Sequence, residues 1–308
     1  MSRREHFSFA AALLLAASSA HAEGVLPFDG VMSLSYTAFN SKWSSANQSA
    51  FNLVSDVNFS DQFSMGLDID YGRITSNGMS ANLNRFQLEP TLRLPNGSYL
   101  GAYYQDASVQ VTPAGFSLAS YGIFGGYEAA KWGVDAYLGT TTLDMMGNSL
   151  DSNNIGLTVT LKPTDNLEFF GHFAQGNPSD MLDGIDTISV SAIGAEYNIQ
   201  NGLVAYGAVE RFAFLGESVT GFTIGAGYDL VAHGSKVPGT ITLEAGQSEG
   251  GGLTQTQVTV GWLIPLGNGE VQPLSSILRT ARGGTRSPIV AGFGSMGILV
   301  PFARTPPT

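Results

Sequence analysis

The side chain in this 308-residue sequence best suited to chemistry is His172, in "LEFFGHF" (167 to 173), where a period of two places Glu168, Phe170 and His172 on one face. A glutamate beside a histidine could act as orienting acid and general base of a hydrolase. However, no serine or acidic nucleophile stands at a matching position, and the bland alternative is two polar residues on a wall. The other imidazole beyond the first 22 residues, His233, sits in a turn beside Gly234. Asp180, Asp183 and Asp186 in "NPSDMLDGID" could offer carboxylate oxygens to calcium, but their spacing departs from the Asp-x-Asp-x-Asp loop, so a solvated acidic loop is the simpler reading. No glycine-rich loop follows a strand and opens a helix. The sequence therefore predicts no catalytic residue, no metal site and no cofactor.

Short alternating runs must position these residues, and no stretch keeps a 3.6-residue stripe beyond the amino-terminal segment. Fourteen candidate strands follow one another from about 28–40 to about 254–266, most of them near the nine to eleven residues that a tilted strand needs to cross hydrocarbon. Tight turns such as Ser60-Asp61-Gln62, Pro95-Asn96-Gly97, Pro163 to Asn166 and Gln200-Asn201-Gly202 recur roughly every 33 to 36 residues. Longer polar connections, including Ser41 to Gln48, Leu143 to Asn153 and Gly176 to Ile185, are expected to alternate with them. That alternation fits a barrel with short turns at one rim and longer loops at the other.

Parity separates two faces. Phe63, Met65, Leu67, Ile69 and Tyr71 oppose Ser64, Gly66, Asp68, Asp70 and Gly72. In "GLTVTLKPTDNLEFFGHF" (156 to 173), Leu157, Val159, Leu161, Leu167, Phe169 and Phe173 oppose Thr158, Thr160, Lys162, Glu168 and His172. The polar faces are rich in Gly, Ser and Thr and poor in charge, which suits a crowded lumen better than a solvated surface. The apolar faces then meet lipid, with Tyr71, Tyr127, Trp132, Tyr197, Tyr228 and Trp262 near strand ends as an interfacial girdle. The same parity assigns Asp56, Asp68, Asp70, Glu89, Asp135, Glu168, Glu196 and Glu244 to the lumen, with Arg85, Arg93, Lys162 and His172. Eight acids against three bases predict a weak preference for cations.

Composition agrees. Charged residues make up 13% of the chain, about half the share in soluble domains, while Gly numbers 39, Phe 18 and Tyr 11. Residues 1–22 read as a signal peptide: Arg3 and Arg4 start it, an apolar centre runs from Phe9 to Ala17, and Ala20-His21-Ala22 forms the cleavage site. The 286 residues beyond it carry 24 acids and 12 bases, a formal charge of −12 that excludes nucleic acid as a partner. There is no cysteine, hence no disulfide.

With the strand–turn–strand "AEYNIQNGLVAYGAVER" (195 to 211) as an example, residues 23–266 resemble bacterial outer-membrane β-barrels, specifically porin-like proteins. The resemblance is one of architecture and includes no signature motif. It implies an all-β transmembrane antiparallel barrel in the cell outer membrane, reached through the periplasm, with the lipid bilayer and small hydrophilic solutes as partners and a possible homo-oligomer. The implied function is passive diffusion through a porin-like channel. A structural or partner-binding barrel with a filled lumen is the alternative, and an envelope lipid hydrolase comes last.

Residues 267–308 break the pattern, with Arg279, Arg282, Arg286 and Arg304 against the single acid Glu270. Either the barrel has fourteen strands and this is a basic extension, periplasmic or folded into the acidic lumen, or Val271 to Arg279 and Ile289 to Phe302 are strands fifteen and sixteen. Fourteen is the expectation, because Pro273, Pro288 and the glycines between them oppose further strands.

Overall fold

The computed structural model describes residues 28–42, 44–76, 79–111, 114–145, 148–178, 187–214, 216–267 and 276–296; the signal segment 1–22 and the loop bearing Asp180, Asp183 and Asp186 lie outside them. Fourteen strands run in chain order: β1 (Phe28–Ser41), β2 (Ser45–Asn58), β3 (Phe63–Ser76), β4 (Met79–Arg93), β5 (Ser98–Val111), β6 (Ala114–Ala129) and β7 (Trp132–Met145), then β8 (Asn148–Thr164), β9 (Leu167–Pro178), β10 (Ile188–Ile199), β11 (Leu203–Phe214), β12 (Glu217–Asp229), β13 (Thr240–Gly250) and β14 (Leu253–Leu266). Each pairs with its chain neighbours, and β14 returns to β1 to close the barrel. The closing seam runs antiparallel from Gly30↔Leu266 to Ser41↔Gln255, so neither strand is left with an open edge.

One expectation changes, and one alternative falls. Most of Gly176 to Ile185 lies outside the described residues, but the other polar stretches read as long loops are largely strand: β7 and β8 stay paired as far as Met145↔Asn148, and only two residues separate β3 from β4, β5 from β6 and β13 from β14. Small polar residues suit both faces of a strand that has left the hydrocarbon, so composition marks where lipid ends and not where pairing ends. The sixteen-strand alternative falls as well. Ser276–Ala281 is a helix, here α1, and Pro288–Met296 is a second, α2.

The outward faces are apolar and exposed, as at Leu100 (58%), Ile193 (67%), Ile224 (62%) and Leu243 (58%). Leu53 and Leu67 share that face by register but are buried. Tyr127 and Trp132 place their rings 5.2 Å apart beside the turn that joins β6 to β7. Asn201 and Gly202 both take positive φ, 65° and 73°, as the tight turn between β10 and β11 demands.

The inward face is where packing decides residue type. Tyr103 of β5 lies over Gly139, Tyr137 of β7 over Gly156, and Tyr206 of β11 over Gly225. In each case a Cβ on the glycine would run into the ring, so the glycines here make room for aromatics that brace the wall. Gly156→Val should therefore destabilise the barrel by about 1–3 kcal/mol through overpacking. Gly171→Ala, whose added methyl meets nothing within 4 Å, should stay within about 0.5 kcal/mol. Urea unfolding of barrels refolded into vesicles measures both, and equal midpoints would refute the packing role.

Candidate functional site: the lumen and the segment within it

The described part of the chain after β14 lies inside the barrel. α1 packs against β9, β10, β11 and β12, and α2 against β9 and β10. Its local structure follows from a few residues. Gly283 (φ 72°) ends α1: its amide donates to the Thr280 carbonyl at 2.9 Å, and that of Gly284 donates to the Arg279 carbonyl at 2.9 Å. This pairing is a Schellman cap. Ser287 stands where an N-cap belongs, Pro288 takes the first helical position, and the Ala291 amide donates to the Ser287 carbonyl at 3.0 Å. The "RGGTRSP" sequence that argued against strands is thus a pair of helix ends joined by a short turn.

Apolar side chains hold the segment on one wall. Ile277, Leu278 and Ala281 pack with Phe170, Ala192, Tyr206 and Ala208. Ile289, Val290 and Ala291 join Tyr103, Tyr137, Val190 and Phe212 in a second core. Burial of each Ile, Leu or Val contributes roughly 1.5–3 kcal/mol.

Three arginines of the segment then meet the acidic lining. Arg279 donates to Asp68 and, at 2.9 Å, to Asp70; both carboxylates also bind Arg85, which reaches Asp70 at 2.5 Å. Two acids and two bases thereby balance in one cluster, and Arg85 adds a 3.0 Å bond to the Gly284 carbonyl. Arg282 binds Glu196 and lies 4.4 Å over the Phe170 ring. Arg286 reaches Glu89 at 2.8 Å, also binds Asp135, and lies 4.2 Å over Phe124. Around this last pair, Gln87 donates to Glu89 at 2.8 Å and Tyr99 to Asp135 at 3.0 Å.

Of the residues that parity assigned inward, Asp68, Asp70, Arg85, Glu89, Asp135 and Glu196 are thus gathered onto the segment. Lys162 pairs with Glu168 at 3.3 Å beside a cavity that Arg282, Gly283 and Arg286 also line, and Arg93 donates to Ser64 at 3.3 Å. Asp56 is exposed, whereas Glu244 is buried in the wall of a separate gap. His172 shares a 3.0 Å hydrogen bond between Nδ1 and Thr158 Oγ1, and its ring stacks on Tyr137. Its Nε2 is buried without a hydrogen-bond partner, and none of the ion pairs of the described residues includes it. His233 stacks on Tyr228 with ring centroids 4.0 Å apart.

Sequence reasoning missed Glu210, almost wholly buried on the inward face of β11 with Tyr206, Ala208 and Phe212. Parity alone would have found it, but an inward face this aromatic makes sense only once something packs against it.

No protein-family model matches the sequence, and no curated protein does. Among solved structures, the barrel is similar to the anion-selective porin from Comamonas acidovorans, with a TM-score of 0.52 and 11% identity over 78% of this chain and 99% of the porin. A TodX deltaS2S3 mutant, a monoaromatic hydrocarbon channel, gives a TM-score of 0.52 and 11% identity over 82% of this chain and 92% of that one. The fold is that of bacterial outer-membrane β-barrels, here with fourteen strands.

Removing one member of a buried ion pair costs about 3–5 kcal/mol, because the other charge is left unpaired. Arg286→Met should therefore loosen the segment: amides of 276–296 lose hydrogen-exchange protection while those of β5 to β8 keep theirs. Unchanged protection would mean that apolar packing alone holds the segment.

Proposed function

We propose that the chain is an outer-membrane channel for passive diffusion of small hydrophilic solutes, weakly cation-preferring, whose own carboxyl-terminal segment occupies part of the lumen and limits its opening. Residues 1–22 would direct export and be removed, and the strand ends joined at Ser60-Asp61-Gln62, Pro95-Asn96-Gly97 and Gln200-Asn201-Gly202 would face the periplasm. The observation that carries this reading is the pairing of Arg279, Arg282 and Arg286 with five lining carboxylates. A segment held by charge can be shifted by charge, and a lumen only partly filled leaves a path beside it. With the three arginines of the segment added to Arg85, Arg93 and Lys162, the eight acids assigned to the lining still outnumber six bases, which supports a residual cation preference.

The second reading, a structural or partner-binding barrel with a permanently filled lumen, draws on the apolar cores that run from wall to segment. Single-channel recording in planar bilayers separates the two. A channel should give small, stable currents from the full chain, and removing residues 267–308 should raise the conductance several-fold. Under a salt gradient the full chain should show a reversal potential of cation-selective sign; an anion-selective sign would remove that part of the reading. Silence from the full chain and from the truncated one would leave the structural barrel.

A further inference from the structure

The segment leans on β9 to β12, and between it and the rest of the wall lies a gap of about 220 Å³ lined from β1 to β6, from β13 and β14, and by the segment's own Ile277, Arg279 and Val290. We propose that this gap is a binding site for an uncharged, polyhydroxylated solute of monosaccharide size, an inference that rests on the channel reading and names its solute class. Four charged residues line the gap, and two of them, Arg85 and Arg279, both bind a third, Asp70. Glu244, the fourth, has a partner of its own, so a charged solute would find little unspent counter-charge there.

The rest of the polar wall is built from amides and hydroxyls. The side chains of Gln48, Gln255 and Gln257 line the gap and make no hydrogen bond among the described residues. Each therefore offers an unspent acceptor and two unspent donors, the mixed complement that a hydroxyl requires because it both donates and accepts. Phe39 sits directly across from Gln257 in the register of β1 and β14, while Gln48 pairs with Thr37 on the other side of β1. An aromatic face flanked by amides suits a ring that carries C–H groups on its faces and hydroxyls on its rim. The volume lies below the roughly 300–1,000 Å³ of pockets that enclose drug-sized ligands, which limits the occupant to about one sugar ring.

The test uses the full-length protein with D-glucose as the probe. In detergent, saturation-transfer NMR should detect glucose bound to the wild type. Gln257→Leu and Gln48→Leu, on strands either side of β1, should each raise the half-saturating concentration about fivefold, the equivalent of one net hydrogen bond. Heat-modifiable gel mobility identifies the variants that retain the barrel, and two sites on different strands guard against the loss of either one. The inference is overturned if the wild type gives no transfer to glucose, if benzyl alcohol binds in preference to glucose, or if both folded variants bind glucose as well as the wild type. Glucose should also block the bilayer current in a saturable way. Current without glucose binding sinks the site and spares the channel, whereas glucose binding with no current from the full or the truncated chain sinks the channel and spares the site.

Discussion

Hydrocarbon offers no hydrogen bonds, and that single constraint organises the molecule. A backbone donor or acceptor left unpaired there costs several kcal/mol, so a sheet can cross the bilayer only if its first and last strands meet. The β1–β14 seam satisfies this requirement, with the Thr37 and Thr259 hydroxyls bonded across it at 2.9 Å on the inward side. Once the sheet is closed, alternation leaves no freedom: one face of every strand belongs to lipid and the other to the lumen. Every polar group at membrane depth must then be accommodated inside, which is why the carboxylates of β3, β4, β7 and β10 converge on one another's space.

That convergence creates the second problem, which arginine solves and lysine would not. Carboxylates held close together in a poorly hydrated space need cations whose donors reach several acceptors at once. A guanidinium presents five donors in a planar fork and also stacks on aromatic faces. Residues 267–308 contain four arginines and no lysine. Arg279 uses its fork to bridge Asp68 and Asp70, and Arg286 bridges Glu89 and Asp135 while lying over Phe124. The acid excess of the wall and the basic excess of the segment are two halves of one arrangement.

The barrel was legible in the sequence because its defining physics is local. Period-two alternation, turn residues at regular intervals and the contrast between faces are properties of a few neighbouring residues, and from them came the barrel and its strand count. The extent of the strands was not legible, because beyond the bilayer the pattern that lipid imposes on a strand stops while pairing continues, as at Met145↔Asn148. The place of the segment was left open for a different reason: its partners lie 86 to 211 residues away in the chain. A charge reversal at Arg279 to Arg286 indicates a need for acids without naming which ones. The cap signals were local and readable, since Gly283-Gly284 and Ser287-Pro288 mark a helix end and a helix start, yet a search tuned to strands counts them only as breaks.

The number of strands explains why a segment is needed at all, and the wall shows where it belongs. Barrels of about eight strands are filled by their own side chains, whereas fourteen leave a space that must hold either water or more protein. Water and protein call for different walls. On β9 to β11 the inward residues Phe170, Val190, Ala192, Tyr206, Ala208 and Phe212 are apolar or aromatic and buried, and they would be costly to leave wet. On β14, β1 and β2 most of the inward residues at the gap, Gln255, Gln257, Thr259, Ser35, Gln48 and Asn52 beside Phe39 and Ala50, are amides and hydroxyls, which would be costly to cover with apolar helices. The helices lie against the first wall and leave the gap at the second. The side on which the helices lie is therefore written into the apolar strands, and Arg279 and Arg286 tie the segment across the lumen to Asp68 and Asp70 of β3 and Glu89 of β4.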